Sequence, residues 1–128
     1  MEKENYERIA REIFFGSLEV HKAMGPGLLE SVYELCLMKE LELRGLVVES
    51  QVAIPLVFKG YVLSKEYRID ILVEQVIIIE LKATESLMPI HEAQIISYLK
   101  LANKKMGFLI NFNVPMLKSG FRRFVNNY

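Results

Sequence analysis

Apolar positions step at helical spacing through the first part of the chain. From about Glu4 to Met24, Ile9, Ile13, Ser17, Val20 and Met24 fall on one face, with Phe14, Leu18 and His21 beside them. Gly25-Pro26-Gly27 ends that helix, because Pro breaks the ladder and Gly accepts positive φ. A second helix is expected from near Leu28 to about Arg44, stopped by Gly45. The period then shortens to that of strands. Val47 to Phe58 and Tyr61 to Val73 read as two strands around the turn Lys59-Gly60, with Pro55 assigning part of the first to an edge or a bulge. Val76 to Ala83 is a third strand, whose near-continuous apolar run implies cover on both faces. A third helix spans about Ile90 to Ala102, Lys105 to Asn111 a fourth strand, and Gly120 to Val125 a short last one. The order α-α-β-β-β-α-β-β predicts an α/β fold: a mixed sheet with helices on both faces. The first three strands are antiparallel, and the third and fourth are parallel through a right-handed β-α-β crossover.

The length of 128 residues fits one domain over 1–128. No run of about 18 apolar residues is present, so no transmembrane helix is expected. The charged start, Met1 to Glu7, lacks the apolar core of a signal peptide. Cys36 has no partner for an internal disulfide and fits a small core residue in a reduced, cytoplasmic setting. The net charge is zero but unevenly spread. Residues 1–92 hold 10 Lys/Arg and 16 Asp/Glu, whereas 93–128 hold 6 Lys/Arg and no acid. Lys100, Lys104, Lys105, Lys118, Arg122 and Arg123 are either a local phosphate-binding patch or a solvated face that balances the acidic helices.

Three ionisable residues interrupt the apolar strands: Asp70, Glu80 and Lys82. Charges at core-like positions are costly unless paired or bound to a metal. Glu80 and Lys82 are two apart and share a strand face. Asp70 and Glu80 offer hard oxygens suited to Mg²⁺ or Mn²⁺, and the Leu81 carbonyl could add a third. Register decides whether the acids meet. Pairing residue 70 with residue 80 requires Val73 opposite Ile77 and a three-residue loop, Glu74-Gln75-Val76; a two-residue turn would send them to different faces. The structural alternative is a cross-strand ion pair of Lys82 with either acid. Glu30, which lines up with Tyr33, Leu37 and Leu41 at the head of an apolar stripe, is either a functional acid or one that complements the helix dipole. Gln94 and Tyr98 share a helix face, with His91 a turn before them.

Together these residues resemble a family. Asp70 followed by Glu80-Leu81-Lys82 is similar to the motif of the PD-(D/E)XK nuclease superfamily. Gly27-Leu28-Leu29-Glu30-Ser31-Val32-Tyr33 matches the GxxExxY signature that names one of its small bacterial branches. Gln94-Ile95-Ile96-Ser97-Tyr98 is similar to the QxxxY motif of RecB-like nucleases. The resemblance covers roughly His21 to Val125. One departure is Ile69, where the motif has Pro.

The resemblance implies a restriction-endonuclease-like three-layer α-β-α fold. It implies a divalent metal, Mg²⁺ or Mn²⁺, on Asp70 and Glu80, a catalytic Lys82, and Glu30 reaching the metal or Lys82 through water. Gln94 and Tyr98 would position the water or the scissile phosphate. Some RecB-like nucleases use a helix histidine as a ligand, which leaves His21 and His91 between that role and a structural one. The function expected is hydrolysis of phosphodiesters in DNA, or less favoured RNA, with Lys100, Lys104, Lys105, Arg122 and Arg123 on the backbone. A neutral chain also fits a non-catalytic module on the same fold that binds nucleic acid, a protein partner or a second copy of itself. A third reading is a purely structural domain in which the acids only pair with Lys82.

Overall fold

The computed structural model describes all residues 1–128. The elements are α1 (Lys3–Met24), α2 (Glu30–Leu43), β1 (Val48–Phe58), β2 (Tyr61–Val73), β3 (Ile77–Lys82), α3 (Pro89–Ala102), β4 (Met106–Asn111), a 3-10 turn (Leu117–Gly120) and β5 (Phe121–Val125). The sheet runs in sequence order, β1 to β5. All neighbours are antiparallel except β3 and β4, the pair joined through α3. This is the restriction-endonuclease-like α/β arrangement.

Two cores give the fold its three layers. The larger joins Ile9 and Ile13 of α1, Tyr33, Leu37 and Leu41 of α2, and Ile71, Val73, Ile77, Ile79 and Leu81 on one sheet face. The smaller joins Tyr98 and Leu99 of α3 to Ile54, Ile69, Leu72 and Ile78 on the other. Covered on both sides, β3 is buried from Ile77 to Leu81, as its continuous apolar run required. Arg44 ties the two helices of the first layer, its Nε donating to Glu40 at 2.7 Å and its Nη1 to Glu12 at 3.0 Å. Pro55 acts in both ways expected of it: β1 is an edge strand, and its register with β2 shifts between Pro55 and Val57.

The β2–β3 connection decides where the two strand acids lie. Val73 pairs with Ile77, so the connection is Glu74-Gln75-Val76. Glu74 and Gln75 take positive φ (52° and 62°), the Val76 N–H donates to the Val73 carbonyl at 3.0 Å, and Val76 is the additional residue that offsets the register. Continued from the last pair, Ile71 with Ile79, that register brings Asp70 opposite Glu80.

At the far end of β3 the following loop is clamped by a buried amide. Asn111 of β4 accepts the Thr84 N–H at 3.1 Å and the Asn113 N–H at 3.2 Å, and donates to the Thr84 carbonyl at 2.9 Å. Gly120 lies against that same residue. A Cβ there would sit 2.2 Å from the Asn111 carbonyl oxygen, so only glycine fits.

Candidate active site

The β2–β3 ladder ends one rung before the acids, and their side chains take over from the backbone. The Asp70 N–H donates to Glu80 Oε1 at 3.2 Å, and the Leu81 N–H donates to Asp70 Oδ2 at 2.8 Å. Each carboxylate thus binds the strand that carries the other. The strands part here, and the two acids bridge the opening.

The same-face argument from simple alternation is not how they converge. Glu80 shares the face of Ile78, toward α3. In β2, however, Ile69 packs into the α3-side core and Ile71 into the opposite one, although they are two apart. The strand changes faces at Asp70, which therefore belongs to neither core and turns to the gap between strands.

The backbone of Leu81 also faces that gap. The Phe112 N–H donates to the Lys82 carbonyl at 3.0 Å, so Lys82 turns its backbone groups toward β4. Its neighbour Leu81 then turns both of its own toward β2, where its N–H meets Asp70. Asp70, Glu80 and the Leu81 carbonyl are therefore directed into one opening.

Electrostatically the opening calls for a positive partner. Burial, followed by the negative charge of Asp70, pushes the Glu80 carboxyl up to about 9. Lys82 opposes this shift only weakly, and it forms no ion pair with either acid, which removes the cross-strand pair as the explanation of these charges. No set of three or more His, Cys, Asp or Glu side chains is grouped to hold a metal. Two carboxylates with a carbonyl, completed by water and phosphate oxygens, nonetheless suit Mg²⁺, which keeps several waters and is held by one or two protein carboxylates.

From α3, the Gln94 Nε2–H donates to the Tyr98 hydroxyl oxygen at 3.1 Å, which leaves the phenolic hydrogen free for another acceptor. Tyr98 is buried against Tyr67, with ring centroids 5.5 Å apart. Burial, and next the charge of Glu80, raise its pKa.

Gly27, Glu30 and Tyr33 form a local unit. Gly27 takes φ of 96°, open to glycine and strained for other residues. The Tyr33 hydroxyl donates to the Gly25 carbonyl at 2.6 Å and accepts the Leu28 N–H at 3.1 Å, while its ring stacks on Phe112 at 4.6 Å. Tyr33 thereby pins the loop that sets the start of α2, where Glu30 is exposed and makes no hydrogen bond or ion pair. Tyr33→Phe leaves the Leu28 N–H and the Gly25 carbonyl without this partner. It is expected to lower stability by about 1–3 kcal/mol, measured as a shift in the urea midpoint at constant slope.

The other candidates are dispersed. Arg122 pairs with Glu92 of α3 at 2.5 Å, whereas Arg123 pairs with Glu7 of α1 at 2.5 Å; adjacent on β5, they serve opposite faces of the sheet. Lys104 donates to the Gln75 carbonyl at 2.7 Å, beside the β2–β3 turn and therefore at the other end of β3 from Lys82. Lys100 and Lys105 are exposed. The five cations do not form a single patch. His21 donates through Nε2 to the Val114 carbonyl at 2.8 Å, and His91 accepts the Met88 N–H at 3.0 Å at the start of α3, so both have structural partners.

Residues 7–124 match the family model of the PD-(D/E)XK nuclease superfamily. The chain belongs to that superfamily. No curated protein and no solved structure matches it. No helix of this superfamily member is long and apolar enough to cross a membrane.

Two residues beside Asp70 belong to none of the sequence motifs. The amide of Gln51 donates to Glu34 Oε1 at 2.8 Å and to Asp70 Oδ1 at 3.4 Å. Burial raises the Glu34 pKa, the Gln51 hydrogen bond lowers it, and the charges of Asp70 and Glu30 add to the rise. Only the spacing of Glu34, four after Glu30, hinted at this; nothing in the sequence singled out Gln51.

Proposed function

We propose that the protein is a divalent-metal-dependent nuclease that hydrolyses phosphodiester bonds of DNA, within the branch named for the GxxExxY signature. The observation that carries this reading is that the Asp70 and Glu80 carboxylates each bond the other's strand across one gap. Asp70 and Glu80 would hold Mg²⁺ or Mn²⁺. When bound, the ion would supply a Lewis acid for the phosphate and lower the pKa of a coordinated water.

The remaining roles follow from what each side chain is free to do. Lys82 shares the face of Glu80 and has no carboxylate partner, so its ammonium can orient the attacking water or meet charge developing on the phosphate. Tyr98, with its hydroxyl oxygen held by Gln94, keeps a hydrogen to donate to a phosphate oxygen. Glu30, at the exposed start of α2, acts through water. Of the cations expected on the nucleic-acid backbone, Arg122 and Arg123 do not share a face of the sheet.

The test is cleavage of supercoiled plasmid, single-stranded DNA and RNA with Mg²⁺ or Mn²⁺, with Asp70→Asn and EDTA as controls. Metal-dependent cleavage of DNA that disappears in both controls is the expected result. Absence of cleavage on every substrate would overturn the assignment.

A further inference from the structure

Gln51 occupies a backbone conformation that a strand residue rarely adopts. Its φ is 52°, in the left-handed region, with extended pairs on either side: Ser50 with Ile71 and Val52 with Ile69. That places Gln51 at the rung of Asp70. Its carbonyl accepts a hydrogen bond from Arg68 Nη1 at 3.0 Å. A non-glycine residue in this region is strained and persists only where the surroundings enforce it.

The strain coincides with a change of face in both strands of the hairpin. In β1, Val48 packs on the α1/α2-side core, yet Val52, four residues on, packs on the α3-side core. In β2 the same change falls between Ile71 and Ile69. Strict alternation would have kept each pair on one face. The strands therefore roll over together at the Gln51–Asp70 rung, and both side chains leave the cores.

We propose that Gln51 is a positioning residue for the Asp70 carboxylate, and that the chain Glu34–Gln51–Asp70 fixes this acid to α2. The Leu81 N–H holds Oδ2 and the Gln51 amide holds Oδ1, so the carboxylate is located by two donors on two different strands. The second hydrogen of the same amide goes to Glu34, which anchors the side chain on a rigid helix. Fixed in this way, Asp70 presents its remaining lone pairs to the gap shared with Glu80. The left-handed backbone at Gln51 is the local distortion that turns the amide toward the acid. The helix acid that touches this network is Glu34, one turn after the exposed Glu30.

This proposal rests on the metal-dependent reading, and the experiment separates the two. Gln51→Gly removes the amide while relaxing the positive φ; Gln51→Asn keeps an amide, one carbon shorter, in a residue that tolerates the left-handed region. Each full-length variant and the unsubstituted protein is titrated with Mn²⁺ by calorimetry and melted in EDTA. The Gly variant is expected to melt no lower than the unsubstituted protein, and to bind Mn²⁺ roughly 10–100-fold more weakly, the range for loss of a group that orients a metal ligand. The Asn variant should show a weakened affinity, and Glu34→Ala a smaller loss in the same direction. A merely structural Gln51 would give the opposite: a lower melting temperature with unaltered Mn²⁺ affinity. Unsubstituted protein that binds Mn²⁺ while the Gly and Asn variants bind it equally well overturns the positioning role and leaves the nuclease reading standing. Unsubstituted protein that binds no Mn²⁺ overturns both.

Discussion

Glu80→Gln is expected to raise the melting temperature of the metal-free protein near neutral pH while abolishing divalent-metal binding. The Glu80 carboxyl titrates near 9 in the fold, against 4.5 for the ordinary group. At pH 7 the folded protein therefore holds a proton there that the unfolded chain has released. For an acid with a raised folded-state pKa, the contribution to stability is fully present below about pH 4.5 and is lost as pH rises toward 9. At about 1.36 kcal/mol per pH unit, the loss by pH 7 is about 3 kcal/mol, equivalent to roughly 10 °C in a domain of this size. Glutamine has a similar shape, its amide oxygen can still accept the Asp70 N–H, and it does not titrate. Without metal, the unsubstituted protein should melt at falling temperature between pH 5 and 9, while the Gln variant stays nearly level across that window. Scanning calorimetry in EDTA checks this; parallel curves for the two proteins would show that Glu80 is not the titrating group.

Asp70→Asn is expected to reduce metal-dependent cleavage by about a thousand-fold or more. A metal ion supplies several kcal/mol of transition-state stabilisation, and each 1.36 kcal/mol is a factor of ten. The substitution is mild for the fold, because an Asn oxygen can still accept the Leu81 N–H that Asp70 Oδ2 accepts. Initial rates on supercoiled plasmid at saturating Mg²⁺ measure the loss. An Asn variant that retains more than a tenth of the rate would remove Asp70 from the chemistry.

Much of the fold was legible because long periodic segments were unambiguous. The α1 pattern, the buried run of β3 and the Gly-Pro-Gly break each had one physical reading, and element ends moved by only one or two residues. Register was legible too: the requirement that residue 70 meet residue 80 specified a three-residue connection, and Val73 does pair with Ile77. What simple alternation could not supply was the change of face at Asp70. That change coincides with a positive φ at Gln51, a glutamine with no local turn signature. The basic residues of the C-terminal third do not all share one face, for a related reason. Their clustering in sequence is undone by strand alternation, which sends Arg122 to α3 and Arg123 to α1. The GxxExxY spacing had a structural component that is visible only in the fold, since Tyr33 holds the loop from Gly25 to Leu28.

Calorimetric titration with Mn²⁺ at pH 8 tests directly whether the two carboxylates share one cation. The unsubstituted protein should bind one Mn²⁺ per chain through this site, and Asp70→Asn and Glu80→Gln should each eliminate binding while remaining folded. Binding that survives either substitution unchanged would contradict the shared site.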